Sequence, residues 1–209
     1  METNPKQSIQ TILDADSRFR RPRPSRKKRV AVVTMGVKLG DETRGYTRFR
    51  FLSELLVREG FEVELFTSSF QHWEKAQRDT TRECYRAQPY RISFIQEPGY
   101  QKNLDLARIN SHRIAAKNLR AMLRERFEAD PRAFDLIYAE IPPNDVARVC
   151  AEEAHCNRIP FVADINDLWP EAMRMVVDIP VLSDIVFHPF SRDAHEVYRL
   201  LSGAVGTSD

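Results

Sequence analysis

From Arg29 onward the sequence alternates between short β-rich runs and longer helix-like runs, and this alternation restricts the fold more than any single motif. RVAVVT (29–34) is apolar almost throughout, as a strand buried on both faces requires. Phe49, Leu52, Leu55 and Leu56 then recur at helical spacing and stop at Gly60, a fitting C-terminal cap. FEVELFT (61–67), YRISFI (90–95), FDLIYAE (134–140), IPFVADI (159–165) and GAVGTS (203–208) read as the five further strands. A long helix is predicted over Asn103 to Glu128 and a shorter one over NDVARVCAEEAHCN (144–157). Residues 68–89 are polar and irregular, an excursion with Trp73 and Cys84 as isolated apolar points, and Pro170 to Ser202 is helix-rich but interrupted by Pro180 and Pro189. The pattern predicts an α/β class: a Rossmann-like, doubly wound parallel sheet of about six strands. Such sheets bind ligands beyond the carboxyl ends of their strands, so the informative loops are Met35–Gly45, Glu140–Asn144, Asn166–Glu171 and the end near Ser208.

At 209 residues and 42% hydrophobic content the chain can bury a core of its own. No apolar run approaches the length of a membrane span, and METNPKQSIQ lacks the apolar centre of a signal peptide. Cys84, Cys150 and Cys156 show no C-x-x-C spacing and read as reduced residues of a cytoplasmic protein. Charge is uneven: residues 1–29 hold nine Lys/Arg against three acids, a net +6, and since the whole chain is +2 the remainder carries −4. An acidic body with one basic strip argues against nucleic acid as a partner. RFRRPRPSRKKR (18–29) predicts a disordered basic leader over residues 1–28. It reads either as an attachment to anionic lipid, peripheral at the inner face of the plasma membrane, or as a solubilising segment.

The first loop, MGVKLGDETRGYT, is nearly a Walker A loop, but Tyr46 stands where the phosphate-binding lysine belongs. Gly36, Gly40 and Gly45 lie four and five apart, which is not G-x-G-x-x-G, and no acid closes the second strand, so hydride chemistry is disfavoured. What remains is a polar loop whose backbone N–H groups near Gly45 can meet a phosphate or a sugar hydroxyl, or an ordinary surface loop. VADINDLWPE is more specific. Asn166, Asp167, Trp169 and Glu171 gather around Pro170, and a carboxylate, an amide and an indole together suit a sugar; equally, Asp167 can cap a helix and Trp169 can be core. In EIPPN, Glu140 ends a strand as a candidate cleft acid or a solvated turn acid, and Asn144 is placed to cap the next helix. The five histidines form no H-x-x-x-H or H-E-x-x-H pair, so no metal site is expected.

RVAVVT with its glycine-bearing loop, LLVREGFEVELFTS, FDLIYAEIPP, SGAVGTSD and above all IPFVADINDLWPE together resemble the N-terminal domain of GT-B-fold glycosyltransferases of family 4, the retaining type that builds bacterial polysaccharides. The resemblance covers Arg29 to Asp209. It implies a first domain that binds a glycan or lipid-linked acceptor, facing a second that binds a nucleotide-sugar donor, with transfer in the cleft between them and neither metal nor cofactor held by this domain. It places Asp167 at the reacting sugar, and Gly40, Asp41, Glu42, Thr43, Arg44, Gly45, Glu140, Asn166, Trp169 and Glu171 around the donor–acceptor cleft. This sequence departs from the family in lacking the G-G-x-x-x form of the first loop, a histidine near Asn166 and Asp167, and the paired glutamates of the donor domain. Glu54 and Glu62 are eight apart but fall on a helix and a strand. Residues 29–209 are therefore expected to form half of an active site, inactive alone and completed by a C-terminal domain or a partner subunit. The alternative is a non-catalytic Rossmann-like binding module or one subunit of a split two-chain enzyme.

Overall fold

The computed structural model describes residues 26–40, 42–103, 106–167 and 191–206. Strands β1 (Arg29–Thr34), β2 (Glu62–Ser68), β5 (Arg91–Ile95), β6 (Leu136–Ile141), β7 (Phe161–Ile165) and β8 (Gly203–Gly206) form one sheet in the order β5-β2-β1-β6-β7-β8. Every neighbouring pair is parallel. Helices α1 (Arg48–Arg58), α3 (Leu106–Ala129) and α4 (Asn144–Cys156), with the helical residues 191–200 (α5), flank the sheet; α2 is the single turn Glu83–Arg86. The predicted doubly wound sheet of six strands is present, and strand order reverses between β1 and β6.

Side-chain alternation in β1 explains the two layers. Val30 and Val32 face a cluster with Phe49 and Leu56 of α1, whereas Ala31 and Val33 face one with Leu119, Leu123 and Phe127 of α3 and Val146 and Cys150 of α4. All six residues of β6 are buried, as a central strand covered on both faces demands. Helix α1 ends where predicted: the Gly60 N–H donates to the Val57 carbonyl at 3.0 Å, with φ +92 at Gly60.

Three details differ from the sequence reading. Residues 68–89 are not irregular: Phe70–Gln71 (β3) and Ala76–Gln77 (β4) form an antiparallel hairpin, pinned by Arg78, whose guanidinium donates to the Ser68 carbonyl at 2.6 Å and the Val37 carbonyl at 2.7 Å. Asn144 does not cap α4; extended Pro143 takes that place after two cis prolyl bonds, and Asn144 enters the helix as a buried residue. Arg26, assigned to the leader, pairs with buried Asp135 at 3.0 Å, and the Lys28 carbonyl accepts the Glu62 N–H at 2.9 Å. The cysteines are unpaired with one another: Cys150 in the core, Cys84 half-buried and Cys156 exposed. Among the described residues no helix is long and apolar enough to cross a membrane.

Candidate functional site

The strand-order reversal splays the loops after β1 and β6 apart, opening a crevice at the carboxyl edge. A cleft of about 620 Å³ occupies it, floored by Met35, Gly36, Glu140 and Asn166 and bordered by Arg48 and Asp167. Glu140 organises the floor. It is buried, and its carboxylate accepts the Thr34 hydroxyl at 2.5 Å, the Met35 N–H at 3.2 Å and the Asn166 side-chain amide at 3.0 Å. Burial raises its pKa above the usual glutamate range, and those three hydrogen bonds oppose the rise. Asn166 is held twice, since its backbone N–H also donates to the Ile141 carbonyl at 2.9 Å. Asp167 follows it as an exposed carboxylate on the cleft border.

A second anchored group is Arg48, the first residue of α1. Its guanidinium lies 2.8 Å from Asp164, a β7 carboxylate with no solvent exposure that also accepts the Tyr138 hydroxyl at 2.7 Å. Burial raises the Asp164 pKa, and Tyr138 and Arg48 counter it. Arg48 keeps 39% of its side chain exposed and borders the cleft, so it is a fixed cation with one open face.

The opposite wall comes from segments that the sequence reading left aside. The β3–β4 hairpin contributes Phe70, His72 and Trp73, the loop after β5 contributes Glu97 and Tyr100, and α3 contributes Arg108 and His112. Their rings interlock: Tyr46 meets Trp73 edge-on at 5.0 Å, Phe70 meets Tyr100 at 5.1 Å, and Tyr100 meets His112 at 5.7 Å. His72 Nδ1 sits 2.6 Å from the Tyr100 hydroxyl. Burial, then the charges of Lys75 and Arg108, lowers the His72 pKa to about 4; burial, then Arg108 and His72, lowers that of His112 to about 3. Both imidazoles are therefore neutral at pH 7.

Glu140, Asn166 and Asp167 thus share one cleft, as the sequence reading grouped them. The first loop divides. Its ends, Met35–Gly36 and Tyr46–Arg48, line the cleft, while Val37, Leu39 and Glu42 between them are buried in the protein and Thr43 and Arg44 are exposed. Glu42 is a buried partner of Arg78 at 2.6 Å and accepts the Leu39 N–H at 2.9 Å. Thr43 contacts Glu74 at 3.4 Å, and the Arg44 carbonyl accepts the Gln71 amide at 2.9 Å. Gly40 sits against Cys84, and Gly45 lies behind Trp73, where a Cβ would come within 3.1 Å of the indole in a backbone at φ +124. The close approach that the loop glycines permit is to this chain's own side chains. Asp41, Trp169 and Glu171 lie outside the described residues. The signal for the opposite wall was available: in a parallel sheet the residues after β2 and β5 share the carboxyl edge with those after β1, which places QHWEK and EPGY at the cleft. No cluster of His, Cys, Asp and Glu able to hold a metal ion occurs among the described residues.

No protein-family model matches the chain, and no curated protein sequence does. Among solved structures, Arabidopsis thaliana UGT89C1 complexed with quercetin matches at a TM-score of 0.50 and 14% identity, over 88% of this chain and 44% of that one. The same protein complexed with UDP matches at a TM-score of 0.47 and 10% identity, over 88% and 45% respectively. This chain therefore spans less than half the length of these two structures. UGT89C1 is a glycosyltransferase of GT-B fold. At such identity the likeness speaks to architecture: the chain has the Rossmann-like α/β fold of one GT-B half.

Proposed function

We propose that this chain is the acceptor-side domain of a retaining, metal-independent glycosyltransferase that moves a sugar from a nucleotide-sugar donor to a glycan or lipid-linked acceptor, in polysaccharide synthesis at the cytoplasmic membrane face. The observation that carries the reading is the cleft itself: about 620 Å³ at the strand-order reversal of a GT-B-type half, with an aromatic wall facing a floor of carboxylate and amide groups. Carboxylates and amides accept and donate to sugar hydroxyls, and the indole and phenol rings of Trp73 and Tyr46 offer apolar faces to a pyranose. In this reading Glu140 is a positioning residue that fixes Asn166 and, through it, the backbone presenting Asp167. The Asp167 carboxylate then faces the anomeric carbon as positive charge develops on it, and the open side of Arg48 balances the departing phosphate. A donor-binding lobe, covalent or from a partner subunit, completes the site.

The test is steady-state kinetics and melting of a two-lobe form. Asp167→Ala should lower kcat at least a hundredfold while leaving the melting temperature within about 2 °C, because an exposed carboxylate contributes little to the core. Equal losses of activity and stability would make Asp167 a structural residue. Absence of transfer from every nucleotide sugar, with ligand binding intact, would favour a non-catalytic binding module.

A further inference from the structure

At the far wall of the cleft two cations flank one ring: Arg108 lines the cleft, and Lys75 lies beside it without lining the cleft. Lys75 Nζ lies 4.5 Å and Arg108 Cζ 5.5 Å from the centre of the Tyr100 ring, and the Tyr100 hydroxyl meets His72. Lys75 adopts φ +53 at the hairpin turn, a left-handed conformation unfavourable for a non-glycine residue. Its ammonium reaches the Asn103 side-chain carbonyl at 2.7 Å, and Arg108 Nη1 donates to the Asn103 backbone carbonyl at 3.0 Å, so both head groups are drawn to the same residue. Like charges gathered beside a half-buried aromatic cluster repel one another. Lys75 registers this, its pKa being lowered first by burial and then by Arg108. The acid that faces this wall is Glu97: its two oxygens accept the Ser68 and Ser111 hydroxyls, and the charge of Arg108 opposes the rise that burial imposes on its pKa. Neutral His72 and His112 add hydrogen-bonding capacity without charge.

We infer that the end of the cleft formed by Arg108, Tyr100, His72 and His112, with Lys75 beside it, is a subsite for an anionic group, phosphate or carboxylate, carried by the acceptor. An anion seated between the two head groups relieves their repulsion and takes charge-assisted hydrogen bonds from both. The sugar bearing that anion then extends along Trp73, which shares the cleft with Asn166 and Asp167. The word acceptor rests on the glycosyltransferase reading; the preference for an anion rests on the geometry of this wall.

The experiment is a proton NMR titration of the full chain at low salt and pH 7. It follows the imidazole C2 protons of His72 and His112 against glucose 6-phosphate, glucuronate, glucose and UDP. At least one of the two charged sugars should shift both signals and bind at least tenfold more tightly than glucose, and the tighter of the two identifies the anion. Lys75→Gln and Arg108→Gln should each weaken that binding about tenfold with unchanged melting, while Arg113→Gln, which lines a separate groove between α3 and α4, should not. Three results would overturn the subsite: glucose binding as tightly as the charged sugars, folded Lys75 and Arg108 variants binding like wild type, or UDP displacing the charged sugar from the histidines. The last would assign the wall to the donor. Failure of sugar transfer in the two-lobe kinetics with these shifts intact removes the glycosyltransferase reading alone. Transfer to a phosphorylated or uronic acceptor that Arg108→Gln leaves unchanged removes the subsite alone.

Discussion

Replacing Arg48 with methionine separates the electrostatic role of this residue from its packing, because the thioether retains most of the apolar stem. Asp164 is then left with no solvent exposure and without the guanidinium 2.8 Å away, keeping the Tyr138 hydroxyl at 2.7 Å. Removing one partner of a fully buried pair destabilises by about 3–5 kcal/mol. Here Arg48 is 39% exposed, so solvent already screens part of the attraction, and the expected loss at neutral pH is about 2–3 kcal/mol. Asp164→Asn should lose less, about 1 kcal/mol, because the freed arginine can turn into the cleft and rehydrate. The loss in Arg48→Met must also depend on pH. The folded pKa of Asp164 is already raised, chiefly by burial, and losing Arg48 raises it further. A carboxyl with a raised folded pKa binds its proton more tightly in the folded state. Stability therefore falls as pH rises from the unfolded aspartate value, about 4, through the folded value, and levels off above it. Urea unfolding at about pH 4.5 and about pH 7.5 should show the Arg48→Met penalty growing with pH. Equal penalties at both pH values would refute the argument.

Other consequences follow from the cleft wall. His72 and His112 have folded pKa values of about 4 and about 3, below the unfolded value, so acid protonates the unfolded chain first. Stability should fall as pH drops below about 6.5, by up to about 1.4 kcal/mol per pH unit for each histidine, and a His72→Asn, His112→Asn double variant should flatten that slope between about pH 6.5 and 4. Gly99 has φ +79, and a Cβ there would come within 2.4 Å of the Phe70 ring, so Gly99→Ala should destabilise by about 2–4 kcal/mol in chemical denaturation. Arg26→Ala should lower the melting temperature measurably, because Asp135 is almost fully buried; no change would return Arg26 to the leader.

The sheet was legible because each buried strand is a short apolar run and helices α1 and α4 carry their apolar residues mainly on one face. The floor of the cleft was legible for a topological reason: Glu140 lies at the end of one apolar strand and Asn166 just after another, and parallel strands deliver such residues to one edge. The hairpin wall was legible in its place, at the same carboxyl edge, but not in its form. Phe70 and Gln71 are buried by packing against Tyr100 and by hydrogen bonds to Arg44 and Glu42, contacts between residues distant in sequence that no local periodicity announces. Glu42 misled for a related reason. In a polar loop it reads as solvent-facing, yet Arg78, 36 residues later, neutralises it inside the fold. Asn144 lost its capping role because Pro143 already supplies the extended residue that a helix N-terminus needs.

Soaking crystals of this chain with a nucleotide sugar and, separately, with a phosphorylated or uronic oligosaccharide tests the account most directly. The oligosaccharide should lie over the carboxyl ends of β1 and β6, within hydrogen-bonding distance of Asn166 or Asp167 and against Trp73. Density for either ligand only in the groove between α3 and α4, or at the amino edge of the sheet, would contradict it.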